Sequence, residues 1–185
     1  MTKIWKSDTS KEELYTRARI INMKDVAPLR VMTGRSLKGV FPKVSLVIES
    51  EFPPADFFHS GSLYFIVSET LKDIIEGCAS AQAEFYELEL RRQGNIYQEK
   101  KFYFANLMTQ VDCFDYSNAK YTKQGNLIDI ISRLAIDESK CGGTGLFRVA
   151  NLMSIVICAK ASLASEIISA GCTGVSFIDP ANWKI

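Results

Sequence analysis

Apolar positions along the chain follow two different spacings, which predict a mixture of strands and helices. Alternating or continuous apolar runs are typical of strands. They occupy residues 43–48, 63–67, 84–90, 101–108, 154–158 and 174–178. Helical spacing predicts a helix after residue 68 that ends at Gly77 and another over residues 162–170. A third helix is predicted from Leu127, Ile130, Ile131 and Leu134, with Asn126 as its cap.

Two of these predicted helices lie between strands in the same order, as if one unit were used twice. Each strand–helix–strand unit spans about thirty residues, a common size for such motifs. Either a common structural unit recurs by chance or an ancestral segment was duplicated, and the pattern leaves both open. We therefore predict an α+β fold, a mixed sheet with two strand–helix–strand units and flanking helices. Residues 56–61 are expected to form a turn with two exposed aromatic side chains, Phe57 and Phe58.

Charge divides the chain more sharply than the net value of +1 suggests. Residues 1–43 carry ten basic and four acidic side chains, a net charge of +6, and read as loop-rich. Residues 44–90 carry one basic and nine acidic side chains, a net charge of −8. We predict one domain, with a basic segment over residues 1–43 and an α/β region over residues 44–185. The basic start could lie against the acidic middle, or the acidic segment could face outward and attract a basic partner.

Few residues are suited to catalysis or metal binding. His59 is the only histidine, and no nucleophile motif accompanies it. The five cysteines have no close C-x₂₋₄-C spacing, so we expect reduced thiols packed as small apolar groups. Asp112 and Asp115 are three apart and would point to opposite faces of a strand. We therefore predict a protein that is not an enzyme and has no catalytic residues, no cofactor and no metal site.

The composition also narrows the partners and the compartment. The near-neutral charge and the few basic pairs argue against nucleic-acid binding. No apolar run is long enough to cross a bilayer, and residues 1–14 lack the apolar core of a secretory signal. We expect a cytoplasmic protein that does not bind membranes.

Three stretches together resemble a known protein family. The first is residues 63–72 and the second is residues 103–108 with the Val111-Asp112-Cys113-Phe114-Asp115 element. The third and most specific is Leu146-Phe147-Arg148-Val149, followed by a strand, a helix and residues 170–177. This order resembles immunity protein family eleven of bacterial polymorphic toxin systems, over roughly residues 44–180. Residues 158–161 depart from the family pattern, which usually has a serine at the end of this strand.

The resemblance implies an antitoxin-like protein that binds and neutralises the C-terminal domain of a cognate toxin, stoichiometrically. Many such toxins are nucleases with basic grooves, so an acidic surface could imitate the phosphate backbone. The proposed toxin-binding residues come from the acidic segment, with two aromatic anchors. They are Glu49, Glu51, Asp56, Phe57, Phe58, Glu84, Glu87 and Glu89.

Two other functions stay open at this stage. A small-ligand-binding or enzymatic α/β domain would have a pocket near His59, or near Asp112 and Asp115. An assembly protein would form homo-oligomers, which the immunity reading also allows.

Overall fold

A computed structural model describes residues 1–8, 10, 18–21, 26, 28–48, 51–60, 64–78 and 80–183. In these ranges the strands are β1 (Thr2–Ser7), β2 (Ala18–Ile21), β3 (Ser45–Ile48), β4 (Phe57–Ser60), β5 (Tyr64–Ser68), β6 (Ala83–Arg92), β7 (Asn95–Ile96), β8 (Phe102–Leu107), β9 (Gln110–Val111), β10 (Lys120–Gln124), β11 (Leu127–Arg133), β12 (Leu146–Val149), β13 (Ile157–Lys160) and β14 (Val175–Ile178). The α-helices are α1 (Pro28–Met32), α2 (Glu69–Gly77) and α3 (Ala161–Ser169). Short 3-10 helices occupy Glu138–Lys140 and Pro180–Asn182.

Strands dominate this architecture, so the predicted α+β fold with flanking helices is wrong. A seven-stranded sheet has the order β2-β3-β6-β8-β5-β4, with β7 paired to β6. A five-stranded sheet has the order β14-β1-β13-β12-β9, and β10 and β11 form a separate two-stranded ribbon. Helices α2 and α3 pack into a core that both large sheets share, instead of flanking a single sheet.

Both strand–helix–strand units are present, and each is split by a third strand. Strands β5 and β6 lie on either side of β8 and both run antiparallel to it, so they are parallel to each other. Strands β13 and β14 lie in the same way on either side of β1. Each unit is therefore a split β-α-β motif. In the first unit the inserted strand, β8, follows β6 closely in the chain, whereas in the second unit β1 comes from the distant start of the sequence.

Three apolar clusters separate the layers. The first lies between the two large sheets and contains Trp5, Phe57 and Phe65, together with the buried faces of α2 and α3. The second lies on the other face of the seven-stranded sheet, under Val26 and residues 28–44. The third lies between the five-stranded sheet and the β10–β11 ribbon. Both faces of each large sheet are thus covered over much of their area.

Strand β8 shows how this layering determines its composition. All six of its residues are buried. Phe102 and Phe104 face the second cluster, while Tyr103, Ala105 and Leu107 face the first. A strand covered on both faces reads as a continuous apolar run because neither set of alternating side chains meets water.

Helix α2 forms as its sequence predicts. Ser68 is the N-cap, and its hydroxyl accepts a hydrogen bond from the Leu71 backbone N–H at 3.4 Å. Leu71 and Ile75 are buried on one face, and the helix ends at Gly77. Helix α3 likewise buries Leu163 and Ile167.

The third predicted helix is wrong, because residues 127–133 form strand β11. Its pairing with β10 runs from Lys123↔Ile128 to Tyr121↔Ile131, so β11 contains one extra residue in this interval. A second extra residue separates Ile131 from Arg133, the partner of Lys120. Each bulge adds one residue between inward-facing positions. Ile128, Ile131 and Leu134 are therefore buried at a spacing of three, which imitates a helix.

Candidate functional site

The two aromatic residues proposed as exposed anchors are buried. The predicted turn at residues 56–61 contains strand β4, so that prediction is wrong. Phe57 packs in the first cluster beside Trp5, with ring centroids 5.5 Å apart. Phe58 points to the opposite face and packs against Phe102 in the second cluster, at 5.2 Å. Neither ring is available to a partner in this conformation.

Asp56 is also buried, with 7% of its surface exposed, and it joins distant parts of the chain. Its carboxylate accepts hydrogen bonds from the Ser68 hydroxyl at 2.8 Å, the Thr173 N–H at 2.8 Å and the Thr173 hydroxyl at 2.7 Å. Lys100 Nζ forms an ion pair with it at 2.6 Å. Burial alone would raise the pKa of Asp56, but these bonds outweigh it and the net pKa is lowered. Asp56 therefore belongs to the scaffold and not to a docking surface.

Glu84 is half-buried under the segment that follows α1. It accepts hydrogen bonds from the Ser36 hydroxyl at 2.5 Å and from the Leu37 N–H at 2.8 Å. The hydroxyl of Tyr86 and the amide of Asn106 also donate to this carboxylate, at 2.7 and 3.3 Å. Burial raises the pKa of Glu84, and the four donors outweigh this effect and lower it. Glu84 therefore anchors the chain at Ser36 and Leu37 to strand β6.

Glu87 and Glu89 lie on the opposite face of β6 from Glu84, since they alternate with it along the strand. Glu87 is exposed, while the Glu89 side chain is 21% exposed and forms ion pairs with Arg91 at 2.6 Å and Lys43 at 3.7 Å. A cleft of about 560 Å³ lies beside them. It is lined by Lys43, Val44, Glu87, Leu88, Glu89, Leu90, Ile96, Tyr97, Gln98, Lys100 and Lys101. Its rim thus carries both signs of charge.

Glu51 is exposed and accepts a hydrogen bond from Gln93 Nε2 at 2.6 Å. Phe52 and Ile96, nearby in the same β6–β7 region, are more than half exposed. The Arg92 guanidinium donates to the Phe52 carbonyl at 2.9 Å and lies over the Tyr97 ring. Glu49, the remaining proposed residue, lies outside the described residues.

Local cations neutralise much of the acidic segment. Asp56 pairs with Lys100, Glu69 with Lys101, and Glu76 with Lys72. Among the described residues, the ion pair Lys43–Glu89 is the one that joins the basic start to the acidic middle. The net charge of −8 over residues 44–90 therefore overstates the negative charge that a partner would meet at this surface.

Sequence reasoning missed a second exposed surface, residues 28–43, which we call the docking segment. It consists of α1 and the loop that leads to β3. Part of the signal was present in the sequence, because the segment has four basic residues and no acidic residue. The exposure of Leu29, Met32 and Val40 is visible only in the structure. In the sequence it falls within the predicted basic, loop-rich segment over residues 1–43, to which no binding role was assigned.

The alternative of a pocket near His59 gains no support from the described clefts. One is the cleft beside β6, and the other, of about 640 Å³, is lined by Met1, Thr2, Arg133, Leu134, Ala135, Glu138, Asp179, Pro180, Ala181 and Asn182. Neither contains His59, whose side chain lies outside the described part of the structure, nor Asp112 or Asp115. Asp115 instead accepts hydrogen bonds from the Ser117 and Asn118 backbone in a turn.

The cysteines form no disulfide in the structure. Cys113, Cys141 and Cys158 are buried in the third cluster. Burial raises the pKa of the Cys113 thiol to about 12, and the neighbouring Cys141 adds to this effect. Within the described ranges, no group of three or more histidine, cysteine or acidic side chains is placed to hold a metal ion. The helices described in these ranges are too short to cross a membrane.

Comparison with known proteins identifies the family. No curated protein matches the chain. The model of the family described as Immunity protein family (Imm11) matches residues 14–182, which includes the docking segment, β6 and the Leu146-Phe147-Arg148 motif. This match covers most of the chain and confirms the resemblance inferred from the sequence. The chain therefore belongs to the immunity protein family Imm11.

Proposed function

We propose that this protein neutralises a cognate toxin domain by stoichiometric binding, as a non-enzymatic inhibitor in the cytoplasm of the cell that makes the toxin. The observation that carries the proposal is the family match over residues 14–182. The bound protein blocks the active site of the toxin or a motion that the toxin needs. The partner is the C-terminal domain of a polymorphic toxin, and a nuclease is the activity that we expect.

The structure supports this proposal through its rigidity. Both large sheets are covered by packed clusters, and the loops between strands are anchored by the buried carboxylate of Asp56 and the half-buried carboxylate of Glu84. A surface that is already formed before binding loses little conformational entropy in the complex. Tight inhibition by direct contact is favoured by such a scaffold.

The acidic toxin-binding surface stays a prediction, and of its members Glu51 and Glu87 are exposed while Glu89 is partly exposed. Asp56, Phe57 and Phe58 are buried, and Glu84 is an anchor, so they would act on toxin binding only through the fold. The division of the domain at residue 43 also stays a prediction. The family match starts well before that residue, and strands β1 and β2 already take part in the two large sheets.

Co-expression tests the function directly. The chain is produced in a host together with the C-terminal toxin domain encoded by the neighbouring upstream gene, and survival and co-purification are measured. We expect rescue of growth and a complex with one copy of each protein. Light scattering measures the mass of this complex. Toxicity without rescue and without a complex would contradict the proposal, and a larger assembly of the chain alone would instead indicate homo-oligomers.

A further inference from the structure

The docking segment, residues 28–43, has an outer side of unbalanced positive charge. Its basic residues Arg30, Arg35, Lys38 and Lys43 are all exposed, and the segment contains no aspartate or glutamate. Lys43 pairs with Glu89. Arg30, Arg35 and Lys38 have no carboxylate within 4.0 Å among the described residues. Three cations are thus available to acidic groups of a partner.

Apolar side chains protrude from the same segment. Leu29 is 70% exposed, Val40 is 49% exposed and Met32 is 39% exposed. Leu29 and Met32 are three residues apart on α1, so they lie next to each other on one side of the helix. Single exposed apolar residues are ordinary, but three within twelve residues, surrounded by cations, have the composition of an interface.

The inner side of the docking segment is held firmly. Val31 and Leu37 are buried in the second cluster, at 3% and 1% exposure. Glu84 binds the backbone N–H of Leu37, as described above. Phe41 stacks on Tyr86 with ring centroids 4.2 Å apart. The outward side chains are therefore presented from a fixed backbone, which lowers the entropic cost of binding.

Two buried polar side chains extend this support to the carbonyl groups of the segment. Asn106, 1% exposed, donates to the Arg35 carbonyl at 2.9 Å. Arg148, 4% exposed, donates from Nη1 to the Val31 carbonyl at 2.5 Å. Arg148 belongs to the Leu146-Phe147-Arg148 motif that carried the family resemblance. Part of this motif therefore positions the docking segment.

Gly34 completes the anchorage, because no other residue fits its position without a shift. Its φ is +63°, a conformation that side chains rarely adopt. A Cβ atom there would lie 2.6 Å from Arg148 Nη2, 2.8 Å from Gln110 Nε2 and 2.9 Å from the Met108 carbonyl oxygen. The segment approaches β9 and β12 this closely only because residue 34 has no side chain.

We infer that the docking segment is the toxin-binding surface and that it takes an acidic protein surface with an apolar depression. The inference rests on the proposed function and names the kind of partner surface involved. Leu29 and Met32 enter the depression, while Arg30, Arg35 and Lys38 meet carboxylates around it. Such an arrangement of apolar anchors within a charged rim is common in tight protein complexes.

A protein partner fits the docking segment better than a nucleic acid or an anionic membrane does. The aromatic side chain of the segment, Phe41, is stacked on Tyr86 and is not available for stacking on bases. Helix α1 has five residues, too few to lie in a membrane surface with a wide apolar face. Exposed apolar side chains together with three cations on an anchored backbone suit a protein surface of complementary charge.

Binding measurements with purified toxin domain, made catalytically inactive, test the inference. One variant combines Arg30→Glu, Arg35→Glu and Lys38→Glu, and a second combines Leu29→Ser and Met32→Ser. A matched control reverses three exposed cations elsewhere, Lys120→Glu, Arg133→Glu and Lys160→Glu. We expect the dissociation constant to rise roughly 100-fold or more in both docking variants and less than about 5-fold in the control. Thermal unfolding checks that each variant is folded.

A third variant, Glu51→Lys with Glu87→Lys and Glu89→Lys, tests the acidic surface in the same assay. Loss of binding in this variant alone, with both docking variants binding as wild type, would overturn the inference and place the toxin on the acidic face. The inference is also wrong if the docking variants bind the toxin as wild type does but lose binding to anionic phosphatidylserine vesicles or to a DNA duplex. Failure of the wild-type protein to bind the toxin would instead contradict the proposed function.

Discussion

Contacts from distant parts of the chain converge on Asp56. It connects β4 to the start of α2 through Ser68 and to the loop before β14 through Thr173, and Lys100 neutralises it from a third direction. A single carboxylate thus ties the seven-stranded sheet to the five-stranded sheet. The sequence suggested that this carboxylate binds a partner protein. In the structure it instead binds groups of its own chain.

We predict that Asp56→Asn lowers the free energy of unfolding by about 3 kcal/mol, because it removes a charged acceptor and leaves Lys100 without its partner. Chemical denaturation measures the effect. Glu87→Gln is the matched control on an exposed carboxylate, with an expected change below about 0.5 kcal/mol. Equal stability of the two variants would show that the Asp56 contacts add little.

The same carboxylate makes stability depend on pH in a defined direction. The pKa of Asp56 in the folded protein lies below its ordinary value of 3.8. Its contribution is therefore complete above that value and is lost as the pH falls through the lower, folded-state pKa. We expect the stability difference between wild type and Asp56→Asn to shrink between roughly pH 5 and pH 2. A difference that is constant or grows toward acid would contradict the lowered pKa.

At the scale of elements, hydrogen bonds of Glu84 fix the docking segment to strand β6. The carboxylate binds the Ser36 hydroxyl and the Leu37 N–H on one side and Asn106 on the other. Removal of its charge should loosen the segment without changing any outward side chain. Local opening is then easier, although the sheets stay intact.

Glu84→Gln should therefore speed hydrogen exchange of the Leu37 amide roughly 10-fold, which corresponds to the loss of one charged hydrogen bond. Exchange followed by mass spectrometry or NMR measures the change. Glu89→Gln is the control, because its side chain faces the opposite side of β6 and pairs with Arg91. Unchanged exchange at Leu37 would mean that Val31, Leu37 and Phe41 hold the segment by packing alone.

Sequence patterns predicted the elements that obey simple periods. Helix α2, with its Ser68 cap and Gly77 end, and strand β6, with Leu88 and Leu90 inward, lie where expected. The β11 prediction failed because two bulges change the spacing of inward side chains from two to three, and a bulge leaves no separate mark in the sequence. The adjacent aromatic residues 57 and 58 form a strand and not the predicted turn because both faces of that strand are covered, which the sequence does not show.

The candidate site was less predictable than the fold, for a related reason. Charge counts along the chain do not show which carboxylates are paired, and pairing partners such as Lys100 for Asp56 are distant in sequence. The protrusion of Leu29 and Met32 depends on Val31 and Leu37 being the residues that turn inward. Only the three-dimensional arrangement distinguishes the protruding apolar residues from the buried ones.

At the scale of the whole molecule, the two split β-α-β units meet through a shared core. Trp5 on β1 touches Phe65 on β5 and Phe177 on β14, with ring centroids 4.8 and 5.1 Å apart. The two large sheets are thus joined by an aromatic cluster, not by a linker. We expect them to unfold together, in a single transition, since neither can expose this cluster alone.

The position of β1 has a consequence for synthesis on the ribosome. Strand β1 leaves the exit tunnel long before its two neighbours in the sheet, β13 and β14, which lie about 150 residues or more later in the chain. Pairing over so large a separation along the chain is slow compared with local structure formation. The nascent chain must keep Ile4 and Trp5 from premature association until β13 and β14 have been made. Under the proposed function, binding of the toxin begins only after these late strands are in place, so production of the inhibitor has to start before the toxin acts.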